Sequence, residues 1–177
     1  DLLSLLREEV AFRSSLLLST GEPAPKIRRQ LARWTATGRL QQLRRGVYAI
    51  APPYSARLPH PFVVARILRP SSYISLQSAL AHYGLIPEHV PVVTSVTTGR
   101  PETLDTPLGR FVFRHISRRQ FRGYESVSLG SGDSGFVALP EKALLDLIHF
   151  APQGQSPAFL EEPAADLVLL EHHRDRL

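Results

Sequence analysis

Cysteine and methionine are both missing from the 177 residues. Without cysteine there is no disulfide framework, no thiolate metal site and no thiol nucleophile. Without methionine even at the first position, Asp1 is expected not to be the natural start of the polypeptide. Long apolar runs are absent as well. The longest are short runs such as Leu16–Leu18, far below the roughly 20 residues of a membrane-spanning helix. No basic, then apolar, then small-residue signal pattern opens the chain. With 43% hydrophobic and 21% charged residues the composition is that of a folded domain. Together these features lead us to expect a cytoplasmic protein with no membrane partner.

A more local absence is the most informative one. From Lys26 to Arg45, in KIRRQLARWTATGRLQQLRR, there are seven Lys or Arg and no Asp or Glu. The net charge of +5 resolves accordingly: ten basic against four acidic residues up to Arg57 (+6), and eleven against twelve beyond it (−1). Such asymmetry points to a polyanion-binding module joined to a nearly neutral one. Nineteen of the 21 cationic residues are Arg, so position carries the inference rather than residue identity.

Periodicity then places the basic stretch on elements. Leu2, Leu3, Leu5, Leu6, Val10 and Phe12 predict an amphipathic helix over about 2–12, and Leu16–Leu18 an apolar segment stopped at Ser19-Thr20-Gly21. Pro23 and Pro25 suit the start of a helix running to Ala36, with Ile27, Leu31 and Trp34 as one inward stripe. Lys26, Arg29, Gln30 and Arg33 fall on its other side. Gly38 should end it in the left-handed region. Arg39–Leu43 and Val47–Ile50 flank Arg44-Arg45-Gly46 as a hairpin. Helix, helix, basic helix, hairpin is the order of a winged helix-turn-helix, whose third helix enters the DNA major groove. Arg29, Gln30 and Arg33 are the candidates for reading bases, and Lys26, Arg28, Arg44 and Arg45 for holding phosphates. The alternative is a solvated helix face, although such faces usually carry both signs. Trp34 and Tyr48 match the apolar stripe and the strand and are read as core.

Four prolines in APPYSARLPHP place a linker at 52–61, separating a winged helix at 1–51 from an α+β domain at 62–177. In the latter we expect helices over Phe62–Leu68 and Ile74–Tyr83. Val92–Thr98 should form a strand paired with Arg110–Ile116 across GRPETLDTPLG. Another strand is expected near Ser126–Leu129, a loop at Ser131–Gly135, a short strand at Phe136–Leu139, and a helix over Glu141–Phe150 with Leu144, Leu145, Leu147 and Ile148 inward. A last helix is expected around Ala164–His173. Arg100, Arg110, Arg114, Arg118, Arg119 and Arg122 form a possible second basic surface, offset by Glu102 and Asp105.

No catalytic constellation emerges. GSGDSG at 130–135 resembles the surroundings of a serine nucleophile, but Phe136 breaks the pattern and no His base accompanies it, so it is read as a loop. The seven His are scattered, with no metal-ligand spacing and no Gly-rich phosphate loop. Glu141 suits a helix N-terminus through the backbone dipole. Asp105, Asp133, Glu141 and Asp146 form no recognisable metal-holding pair. We therefore expect no enzyme, cofactor or metal.

RLQQLRRGVYAI, and above all YISLQSALAHYGLIPE followed by TSVTTGR, TPLGRFVFRHI and LPEKALLDL, resemble the AbiEi family of type IV toxin–antitoxin antitoxins. The resemblance spans about residues 25 to 150. It implies a winged-helix repressor that binds operator DNA upstream of its own operon. It also implies a C-terminal part that counters a nucleotidyltransferase-like toxin without a stable complex. Family DNA binding carries over to Arg28, Arg29, Arg33, Arg44 and Arg45 as positions in the matching element. The alternatives are a DNA-targeted nuclease or nucleotide-modifying enzyme, a regulator without a toxin, and an RNA- or protein-binding module.

Overall fold

The computed structural model describes residues 10–151 apart from 56, 88 and 89. Residues 2–9 of the expected first helix, His89, and the expected helix at 164–173 with His172 and His173 lie outside the described residues. Five helices and two sheets among the described residues make a mixed α+β fold.

The chain passes through β1 (Ala11–Arg13), α1 (Ser14–Leu18), α2 (Ala24–Ala36), β2 (Leu40–Arg44) and β3 (Val47–Ile50). Phe12 is therefore in a strand, not at the end of a helix. Ala11-Phe12-Arg13 alternates between two apolar environments, and its pairing with Val47–Ala49 outweighs the helical spacing. The helix from about Pro25 to Ala36 and the hairpin that follows it form as expected. α2 ends before Gly38 at φ 71°, and Gly46 turns the hairpin at φ 79°, a conformation that glycine alone adopts without strain.

β1, β3 and β2 form a three-stranded antiparallel sheet in that order. Alternation sends Phe12, Leu40, Tyr48 and Ile50 towards Leu17, Ile27, Leu31 and Trp34 of α1 and α2. Ala11, Leu43, Val47 and Ala49 point the other way, into a second core containing Val64, Ala65 and Leu68 of α3 (Pro61–Leu68). Alternation puts Leu43 on that second face, and a slip in register between Gln42 and Arg44 sets Arg44 opposite Val47. Residues 52–61 thus join two parts that share a hydrophobic core.

Beyond α3 come β4 (Ser72–Ile74), α4 (Leu76–His82), β5 (Val92–Thr97), β6 (Glu102–Thr106), β7 (Gly109–His115), β8 (Tyr124–Gly130), β9 (Asp133–Ala138) and α5 (Pro140–Phe150). They build a six-stranded sheet of order β6-β7-β5-β4-β9-β8. The expected helix over 74–83 starts late, because Tyr73-Ile74 pairs with Ser95-Val96 and Leu76 sits at φ 54°. The 92–98 and 110–116 strands do pair, but in parallel. The segment read as their loop contains β6, which forms the hairpin with β7. The 131–135 loop shrinks to a tight turn between β8 and β9. Leu145, expected inward, is 62% exposed.

Register defines the two faces of this sheet. Ile74, Ser95 and Phe113 align on the face that carries α3, and Tyr73, Val96 and Arg114 on the face that carries α5. On the α5 side Tyr73 stacks on Tyr124 (centroids 4.6 Å apart, planes 13°). Beneath that stack Asp146 is 1% exposed. Its carboxylate accepts from Ser75 Oγ (2.7 Å), Tyr73 Oη (3.0 Å) and Lys142 Nζ (2.5 Å). Burial, then the neighbouring Asp146 charge, pushes the Tyr73 phenol far above its usual range, so it acts as a permanent donor. A buried charge stripped of its partner costs about 3–5 kcal/mol. Asp146→Ala should therefore lower the urea midpoint by a corresponding amount, with Asp146→Asn, which still accepts from Tyr73 and Ser75, intermediate.

Candidate nucleic-acid interface

The sequence of α2 explains how it presents its outer face. Ile27, Leu31 and Trp34 are buried, each large side chain contributing about 1.5–3 kcal/mol when fully withdrawn from water. With 3.6 residues per turn, the opposite side then carries Arg29, Ala32, Arg33 and Ala36, all exposed, with exposed Arg28 on one flank. The two alanines keep that face low between the arginines, so a flat or grooved partner can approach the backbone. Arg33 Nη2 donates to Gln30 Oε1 at 2.9 Å, bringing two of the expected base readers into one planar arrangement. The N-terminal turn of α2 contains no acidic residue, so its dipole adds positive potential there.

Two of the expected phosphate contacts are less free than the sequence suggests. Lys26 pairs with Glu22 at 2.7 Å across one helical turn, so an acidic partner does exist just outside the basic stretch. Lys26 is still 65% exposed, and such a pair contributes only about 0.3–0.5 kcal/mol. Arg44 donates from Nη1 to Glu102 Oε2 at 3.1 Å, across 58 residues of sequence. The hairpin end therefore abuts β6 rather than standing clear. Arg28, Arg29 and Arg45 have no ion-pair partner among the described residues, and all three are exposed.

The arginines of the second basic group sit on several elements. Arg100 lies in the turn before β6, and Arg110 pairs loosely with Asp105 (3.6 Å). Arg114 lies over Phe150 at 5.9 Å on the α5 side. Arg118 and Arg119 occupy the turn after β7. Arg122 lines a cleft of about 640 Å³ with Gln120, Lys142 and His149.

Acidic residues are likewise dispersed: Asp105 with Arg110, Asp133 with Arg57, Asp146 with Lys142. Sequence reasoning did not place Glu102 against Arg44, nor bring Arg69 to it. Arg69 Nη2 lies 2.5 Å from the Glu102 oxygen that Arg44 also uses, and no spacing rule signals so distant a meeting. Compared with known proteins, the chain matches no family model and no curated relative.

Arg57 makes a forked contact with Asp133, the second bond at 3.1 Å. That contact fastens 52–61 to the β8–β9 turn. Hydrogen bonding from Arg57 holds the Asp133 carboxyl below its usual range. A depressed pKa contributes stability above the unfolded value of about 3.9, which is lost as pH falls through the folded value. Arg57→Gln should accordingly unfold more readily than the parent at pH 7, with the difference closing below about pH 3.9. Thermal unfolding across pH 2–7 checks this.

Proposed function

We propose that the chain is a DNA-binding transcriptional repressor of the AbiEi antitoxin type. Its N-terminal part would act as a winged helix-turn-helix, with α2 as recognition helix. Arg29, Gln30 and Arg33 read base edges in the major groove of the operator upstream of its own gene, while Arg28, Lys26 and the hairpin arginines hold phosphates. What carries this reading is the outer face of α2, where unpaired exposed arginines alternate with alanines above a stripe locked into the core. The resemblance in the 73–88 and 94–147 stretches supports the antitoxin part, in which the chain counters a nucleotidyltransferase-like toxin without a stable complex. On this reading it works in the cytoplasm, without enzymatic activity.

Base reading and phosphate holding separate experimentally. Arg29→Ala should lower discrimination between operator and scrambled duplex by about 1–3 kcal/mol. Arg45→Ala should weaken both duplexes alike and flatten the salt dependence by roughly one phosphate's worth. Fluorescence anisotropy at several salt concentrations measures both. Equal, small effects of the two changes on both duplexes would refute the division of labour.

A further inference from the structure

Three arginines from separate parts of the chain converge where the hairpin meets the six-stranded sheet. Arg13 ends β1 beside the hairpin turn: the Ser14 amide donates to Gly46 O at 2.8 Å, and Arg13 pairs with Val47 in register. Its guanidinium donates to Ile67 O (2.8 Å) and Leu68 O (3.0 Å), carbonyls at the end of α3. Arg44 reaches over from β2, and Arg69 from just past α3, and both donate to the same Glu102 oxygen. Burial lowers the Arg13 pKa from its usual value, and the positive charges of Arg44 and Arg69 lower it further. Arg13 and Arg44 flank Val47 from the two strands on either side of it.

One carboxylate, Glu102, serves two of the three guanidinium groups, those of Arg44 and Arg69. A guanidinium carries five N–H donors, so Glu102 leaves most of those on Arg44 and Arg69 without an anion. Arg69 Nε is buried and has no hydrogen-bond partner among the described residues, so that donor is left unsatisfied within the fold. The Arg69 guanidinium is also held in place. It lies 5.6 Å from the Phe113 ring centre, and Gly99 gives it room, since a Cβ there would stand 3.2 Å from Nη1. The group is open to solvent as well, with the Arg44, Arg69 and Glu102 side chains 36%, 26% and 29% exposed.

We propose that Arg13, Arg44 and Arg69 form an oxyanion site for a phosphate of the DNA backbone, with Glu102 as the internal carboxylate that competes for it. The site rests on the DNA-binding reading and extends it from the hairpin turn at Arg45 onto the junction with the large sheet. Planar guanidinium forks suit the tetrahedral oxygens of phosphate. Glu102 sets the affinity. While it holds Arg44 and Arg69 it keeps the cluster folded and weakens non-specific attraction for polyanions.

The discriminating experiment is duplex binding by the full chain carrying Glu102→Gln or Arg69→Gln, over a range of salt, with thermal unfolding of each variant alongside. Competition predicts opposite signs. Glu102→Gln binds duplex several-fold tighter, while Arg69→Gln binds more weakly and loses roughly one phosphate from the salt slope. Should Arg69→Gln fail to fold, Arg44→Gln, at a 36% exposed side chain, removes another guanidinium of the cluster and should weaken binding likewise. A purely structural brace predicts that Glu102→Gln weakens binding or leaves it unchanged, and either result overturns the site.

Inorganic phosphate supplies the second arm. At matched ionic strength it should raise the unfolding temperature of Glu102→Gln more than chloride does, and Arg69→Gln should abolish that gain. Phosphate stabilisation without any effect of these variants on duplex binding would overturn the DNA assignment in favour of free phosphate. Absence of both effects would overturn the site altogether. Failure of the parent chain to bind any duplex would instead refute the repressor reading, leaving the phosphate arm to decide whether the cluster takes oxyanions.

Discussion

The burial of the small sheet on both faces is the constraint on which the rest depends. A small sheet needs a hydrophobic face or a packed helix to be stable in water, and here Phe12, Leu40, Tyr48 and Ile50 seal one face against α1 and α2. Ala11, Leu43, Val47 and Ala49 seal the other against the larger core. The sheet thereby fixes α2 by its inner stripe and turns the arginine face outward. A mobile basic helix would lose side-chain and backbone entropy on ordering at a nucleic acid surface. One already pinned by Ile27, Leu31 and Trp34 has met most of that cost in folding.

The same packing redistributes charge. Residues 26–45 look uniformly cationic along the chain, yet folding gives Lys26 a neighbour in Glu22 and Arg44 a neighbour in Glu102. Within that stretch, the exposed arginines without an ion-pair partner are Arg28, Arg29 and Arg33 on α2 and Arg45 at the hairpin turn. Through the Arg13, Arg44, Arg69 and Glu102 cluster the hairpin is tied to the edge strand β6.

Local rules served well where local forces decide. The stripe of α2, the glycine stops at 38 and 46, and α3 and α5 were legible from periodicity and turn chemistry. They were less reliable where long-range pairing overrides spacing. Val10 and Phe12 read as helix because their neighbours are leucines, but pairing with β3 makes Ala11–Arg13 a strand. Tyr73-Ile74 likewise joins the sheet because Tyr73 Oη and Ser75 Oγ are needed at Asp146. β6 was hidden because Thr103 and Asp105 point to solvent and only Leu104 marks a strand. At the candidate site the arginines of α2 could be found from sequence. Arg69 and Glu102 could not, since 33 residues separate them and they meet only through the fold.

The central claim is that the outer face of α2 recognises duplex DNA. Its most direct measurement is the affinity of the full chain for the DNA upstream of its own gene, against a scrambled duplex, at two salt concentrations, with and without an Arg29→Ala/Arg33→Ala double change. Tight, selective and salt-sensitive binding that the double change abolishes, with unfolding temperature preserved, is the expected result. Weak binding without preference, or selective binding that survives the double change, would contradict it.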